Sequence, residues 1–236
     1  AMGSGHYPDE RAIPYLVRAL NTTDSQKADS AVFALAMIGG DEVRRQMTTR
    51  VQTASGFEWY NAVRVLYLMG DPRGVELLRA ELRESSPYAV RTALILAADD
   101  YWDANVFLRK FLDRSQDASP EGFELRIAAA TLLLSKGYVQ AKAHLRDILG
   151  MEPGIIYLRG KRNDVKAHAD AHDALKVYLC LQLAVRAEPS MLQLLMTAID
   201  DQNPVVSLFA ARGIVAISNP DYRRRLGQLY EPILGL

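Results

Sequence analysis

The chain has 236 residues, 49% of them hydrophobic, with 28 basic and 28 acidic side chains and a single cysteine. A formal charge of zero weighs against a protein dedicated to the DNA backbone, which normally carries a basic excess. Charge at 24% with ordinary hydrophobicity excludes a disordered tail, and one cysteine excludes an internal disulfide framework or a Cys-rich zinc site.

Residues 1–6, Ala1-Met2-Gly3-Ser4-Gly5-His6, read as a vector-derived remnant. From there two kinds of segment alternate. The first kind, called A, begins with Ile13–Leu20 and recurs at Val75–Leu82, Asn105–Leu112 and Lys142–Leu149. The second kind, called B, is small and apolar and ends in a turn residue, as in Ala34–Gly39, Val65–Gly70 and Ala130–Gly137. Apolar residues three and four apart in both kinds predict helices with one buried face. No alternating Val/Ile/Thr stretch predicts a strand. No 18-residue apolar run is present, so membrane insertion is not expected.

One apolar anchor per segment fixes the register. The A anchors are Leu16, Met47, Leu78, Leu108, Leu145, Leu195 and Leu226; the B anchors are Leu35, Leu66, Leu96, Leu133, Leu183 and Ile214. Every B anchor precedes the next A anchor by 12 residues, whereas the A-to-B spacing runs from 18 to 38. Length variation is thus confined to one kind of connection. Gly39, Gly70 and Gly137 follow B segments, where a helix commonly ends in a left-handed residue. Asp24, Ser25, Ser85, Ser86 and Asn203 stand ready as N-caps. Pro14, Pro72, Pro87, Pro189, Pro204 and Pro220 fall at segment beginnings or turns. The expected fold is all-α: about six helical hairpins stacked as a solenoid, with a C-terminal capping helix.

This pattern resembles the HEAT-like repeat family, especially its short-repeat branch named after phycobilisome lyases. The resemblance rests on Asp71-Pro72-Arg73-Gly74-Val75-Glu76-Leu77-Leu78, on Arg11-Ala12-Ile13-Pro14-Tyr15-Leu16 and on the Ala-rich B segments. It implies a right-handed superhelix formed by residues 7–236 as a single HEAT-like domain, of which a longer protein could be the parent. It also implies B helices that line a concave face.

Positions seven, five and two before each B anchor are expected to form the exposed stripe of that face. They include Ala28, Ser30, Phe33, Trp59, Asn61, Arg64, Ala89, Arg91, Arg126, Thr131, Lys176, Tyr178, Leu181, Phe209 and Arg212. Trp59, Arg64, Arg91, Arg126, Lys176, Tyr178 and Arg212 are the candidate partner-binding residues, since cations beside aromatic rings suit acidic or helical peptides. Alternatively, the rings are inter-repeat core and the cations lie across it.

Roughly 19 extra residues separate Leu145 from Leu183. Tyr157, Arg159, Lys161 and Arg162 give this insertion a basic and apolar character, suited to a docking flap or to a self-packed loop. His168 and His172 follow at i, i+4, a weak candidate metal pair without a third ligand; the expectation is no metal and two solvated histidines on an exposed helical extension. Cys180 takes the place of small core residues in other repeats. No phosphate loop, nucleophile elbow or carboxylate pair is present, so no catalytic residue and no cofactor is expected.

The function expected from the sequence is a non-catalytic scaffold for a protein or peptide, acidic ones included. A DNA-glycosylase-like nucleic-acid binder and a bilin lyase or chaperone-like subunit are the alternatives that the family resemblance supplies. The balanced charge weighs against nucleic acid, and a cytoplasmic setting is slightly favoured.

Overall fold

The computed structural model describes residues 10–22, 24–83, 85–152, 155–156, 158 and 164–234, with only the backbone described at Ser25, Gly227 and residues 229–234. Among these residues there are thirteen α-helices, two short 3-10 turns and no strand. The A segments form α1 (Ile13–Ala19), α3 (Gly40–Thr53), α5 (Pro72–Ala80), α7 (Trp102–Arg114), α9 (Ala141–Leu149), α11 (Leu192–Ala198) and α13 (Pro220–Leu234). The B segments form α2 (Ser25–Ile38), α4 (Gly56–Leu68), α6 (Ala89–Ala98), α8 (Pro120–Ser135), α10 (Val165–Arg186) and α12 (Pro204–Ser218). Helices pack mainly on neighbours in this order, and B helices also pack on B helices: α2 on α4, α8 on α10, α10 on α12.

In five of the six B-to-A turns the constant spacing has a backbone cause; the turn after α12 ends instead at an extended Asn219. A left-handed residue recurs four positions after the B anchor at Gly39, Gly70, Asp100, Gly137 and Ala187, with φ of 62°, 72°, 64°, 83° and 45°. In three of these turns the N–H one residue further on donates to the anchor's own carbonyl: Asp71 to Leu66, Tyr101 to Leu96, Tyr138 to Leu133. That 6→1 bond is the Schellman closure. At the other two, Gly39 and Ala187 donate directly to Leu35 and Leu183; Ala187 makes the simpler left-handed cap, whereas Gly39 combines φ of 62° with ψ of −150°. A turn closed on the anchor itself leaves no freedom in its length. Among the described residues the A-to-B connections show no such closure, and their lengths vary.

The helix starts follow their caps. Asp24, Asp71, Ser119, Asp164 and Asn203 accept backbone N–H groups in the first turns of α2, α5, α8, α10 and α12. Pro72, Pro120 and Pro204 occupy first helical positions, where no N–H is missed.

The chain divides into two compact units, 1–92 and 93–236, with the division inside α6. In the first, Val17 of α1 and Leu20 just after it, Val32 and Leu35 of α2, Val43 and Met47 of α3, and Val65 and Leu66 of α4 form one core. Asn61 lies fully buried at its edge and donates to the Leu20 carbonyl at 2.8 Å, satisfying an orphan group at the end of α1. In the second, α10 is the central helix, packed on α8, α12 and α13. Of the thirteen anchors, only Leu16 and Ile214 are half-buried; the others are buried.

Between α4 and α5 the backbones come unusually close. A Cβ at Gly74 would lie 2.4 Å from the Tyr67 nitrogen and 2.6 Å from its Cα. Glycine is what permits this approach.

Candidate functional site

The candidate cations Arg64, Arg126, Lys176 and Arg212 are engaged with nearby groups. Arg64 on α4, with its side chain 13% exposed, meets Asp29 on α2 at 2.5 Å, donates to the Asn61 side-chain oxygen, and lies over the Tyr60 ring. Lys176 on α10 pairs with Asp201 at 2.8 Å, both largely buried. Arg126 lies over Phe123 and Arg212 over Phe209, with guanidinium carbons 5.0 Å and 5.3 Å from the ring centres. Burial pushes the Arg126 guanidinium below its usual range. Tyr178 is half-buried and its hydroxyl accepts from Gln182 at 2.9 Å. Arg91 is exposed on α6. Tyr157, Arg159, Lys161 and Arg162 lie outside the described residues.

The expected stripe is therefore only partly a surface. Ala28, Asn61, Ala89, Thr131 and Leu181 are buried, whereas Ser30, Phe33 and Arg91 are exposed. Helix geometry supplies the reason for the alanines. Seven residues turn the helix by about 700°, which returns to within roughly 20° of the anchor's own face. Residues two away from the anchor, by contrast, point nearly opposite to it. Phe33 at two before Leu35, Met37 at two after, and Leu68 at two after Leu66 are accordingly 40%, 79% and 43% exposed. Met37 and Leu68 escaped the sequence reading, and the two-after position does not by itself signal exposure, since Ala216 at that position is fully buried.

Trp59 is half-buried and lines a shallow cleft of about 540 Å³ in the first unit, together with Gly56, Glu81, Arg83, Pro87 and Tyr88. Tyr88 stacks on the buried Tyr60 ring, 4.6 Å between centres and 7° from parallel. Glu81 already accepts from Ser86 and Arg83, so its carboxylate is occupied within the loop.

The insertion before Leu183 lengthens α10 to 22 residues rather than forming a loop throughout. Ile156 is fully buried, and so, nearly, are His168 and His172, at 9% and 6% exposure. The expected solvated histidines are thus packed inward. His172 Nδ1 is 3.9 Å from Asp173, and its buried Nε2 has no hydrogen-bond partner among the described residues. Desolvation, then the Lys176 ammonium one turn on, push its pKa below the ordinary 6.5; Asp173, the Met151 backbone and Asp201 pull the other way more weakly. Among the described residues no group of three or more His, Cys, Asp or Glu is placed to hold a metal. Cys180 is fully buried, and its thiol is pushed up to about 12 by burial, which removes the thiolate a nucleophile needs.

A lowered histidine pKa has a definite sign. The unfolded chain takes up the proton first, so the stability contributed by His172 is complete above its unfolded value near 6.5 and is lost as pH falls toward the folded value. Thermal midpoints recorded from about pH 7.5 down to about pH 5 should drop in the native protein and drop less in His172→Phe. Parallel curves would show that His172 is not the titrating group.

Comparison with protein-family models, with curated proteins and with solved structures finds no match to this chain. What the chain does is therefore argued from its own geometry.

Proposed function

We propose that this chain is a non-catalytic scaffold of the HEAT-like type, its hairpins stacked as a solenoid, which binds a partner protein or peptide on its B helices. One observation carries the reading: large apolar side chains stand exposed on adjacent B helices. Asp29 and Arg64 tie α2 to α4. Phe33 lies one turn beyond Asp29, and Leu68 one turn beyond Arg64, so the two exposed side chains follow the ion pair on neighbouring helices. Met37 continues the row one turn further on α2. Apolar groups presented together beside a polar rim suit the apolar face of an amphipathic partner helix.

This moves the weight of recognition from cations to apolar contacts. Arg64 is engaged through one terminal nitrogen with Asp29 on α2 and Asn61 on its own helix, and its role becomes that of holding the two helices in register. Among the described residues no helix is long and apolar enough to cross a membrane.

The test is affinity capture of partners on immobilised protein, with bound chains identified by mass spectrometry. Phe33→Glu combined with Leu68→Glu should abolish capture of the dominant partner while leaving helicity unchanged. Arg91→Glu, which leaves that row intact, should change capture little. Equal capture by the double variant would overturn the reading.

A further inference from the structure

The shallow cleft at Trp59 has aromatic walls that are held from behind. Tyr88 is stacked on the buried Tyr60 ring, and Phe57 lies 6.4 Å from it at a tilt of 32°. The connection that carries Tyr88 is fastened to itself: Glu81 accepts from Ser86 and Arg83, and the Tyr88 N–H donates to the Ser86 hydroxyl at 3.2 Å. The rest of the lining comes from the start of α4. Gly56 there has φ of 60°, which calls for glycine. Its bare Cα also leaves space beside the Tyr88 hydroxyl, 3.8 Å from where a Cβ would stand.

Hydrogen-bonding capacity in this cleft is one-sided. The Trp59 indole N–H and the Tyr88 O–H have no hydrogen-bond partner among the described residues, and neither is buried. Arg83 meets Glu81 through one nitrogen at 3.3 Å and is 68% exposed, so its remaining N–H groups stay available. Ser55, the N-cap of α4, makes no side-chain cap bond, which leaves the first N–H groups of that helix as further donors. The one carboxylate of the described lining, Glu81, is occupied and only 15% exposed.

We propose that this cleft binds a proline-rich peptide segment in the polyproline II conformation. Proline rings are apolar units that pack on aromatic faces, and the solvated carbonyls of such a segment are acceptors without an N–H beside them. Sugars and extended strands bring donors of their own, for which the lining side chains hold no free acceptor beyond hydroxyls. A bare anion would face the Glu81 carboxylate. The site stands apart from the Phe33–Leu68 row, since Trp59 lies in the first turn of α4 and Leu68 is its last residue.

The test is fluorescence anisotropy of a labelled peptide of about ten prolines, titrated with the native chain beside a Gly/Ser peptide of equal length. Saturable binding with a Kd of roughly 10 µM to 1 mM is expected, and the Gly/Ser peptide should bind at least about tenfold more weakly. Trp59→Phe and Tyr88→Phe each keep a ring and remove one donor. Each should therefore weaken binding about threefold to tenfold, with helicity unchanged. In Trp102→Phe, where Trp59 is the one tryptophan left, its emission should shift when the peptide is added. The proposal is overturned by no saturable binding up to about 1 mM protein, by equal binding of the Gly/Ser peptide, or by an unmoved Trp59 emission. Native affinity in both phenylalanine variants overturns it too. So does displacement of the peptide by excess inorganic phosphate, the mark of an anion site. Phe33→Glu combined with Leu68→Glu should bind the peptide as the native chain does, so this proposal and the B-helix reading stand or fail separately.

Discussion

Replacing Lys176 with methionine should lower the unfolding free energy by about 3–5 kcal/mol, the usual cost of stranding one member of a buried ion pair. Its ammonium is 2.8 Å from Asp201, and the two side chains are only 15% and 14% exposed. Burial alone would raise the Asp201 pKa. The hydrogen bond from Lys176, with the Asn203 N–H, holds it instead below the ordinary 3.8. Methionine fills similar space but leaves that carboxylate without its cation. The variant also tests the cluster as a whole, because Lys176 is one of the groups that keep His172 neutral. Without it the imidazole gains a reason to protonate beside an unpaired carboxylate. The deficit measured by urea denaturation should therefore be largest near about pH 8 and shrink near about pH 5.5. A small deficit, equal at both, would mean that the pair is hydrated and contributes little.

Gly74→Ala should destabilise by about 3 kcal/mol, the upper end of what overpacking costs. The added methyl meets backbone atoms of Tyr67 and Leu66, which no rotamer change can move aside. Relief requires α5 to shift away from α4, opening a junction closed by the Asp71-to-Leu66 bond. Gly213→Ala is the informative contrast. There the methyl meets the two terminal carbons of Leu195 at 2.8 Å, which can rotate, and Ala184 at 3.3 Å. Equilibrium denaturation of both variants should show the larger loss at Gly74. The reverse order would mean that α4 and α5 are less tightly apposed than the structure has them.

Both sites bear on what the residue pattern could disclose. The helices and their turns were legible because the pattern is dictated locally: apolar spacing defines a face, and a positive φ after five of the six B helices favours Gly39, Gly70 and Gly137. Asp100 and Ala187 adopt the same conformation without advertising it in residue type. Only the recurrence four places after an anchor exposes them. The stripe was harder to read because exposure depends on what packs alongside. Ala28 and Ala89 return to the anchor's face after nearly two turns, and the Asp29–Arg64 pair joins residues 35 apart in sequence. For His168 and His172, helical spacing was visible but the burial of their side chains was not, since it follows from tertiary packing.

Cys180 has a practical consequence. The chain carries one cysteine, fully enclosed and with its thiol held in the unreactive form. A maleimide or disulfide reagent therefore meets no competing native target, and a cysteine introduced on an exposed turn can take a fluorophore selectively without removing the natural one. The same seclusion makes Cys180 a chemical clock. Its modification rate reports how often α10 parts from α12, and so measures the opening of that interface in the unlabelled protein under native conditions.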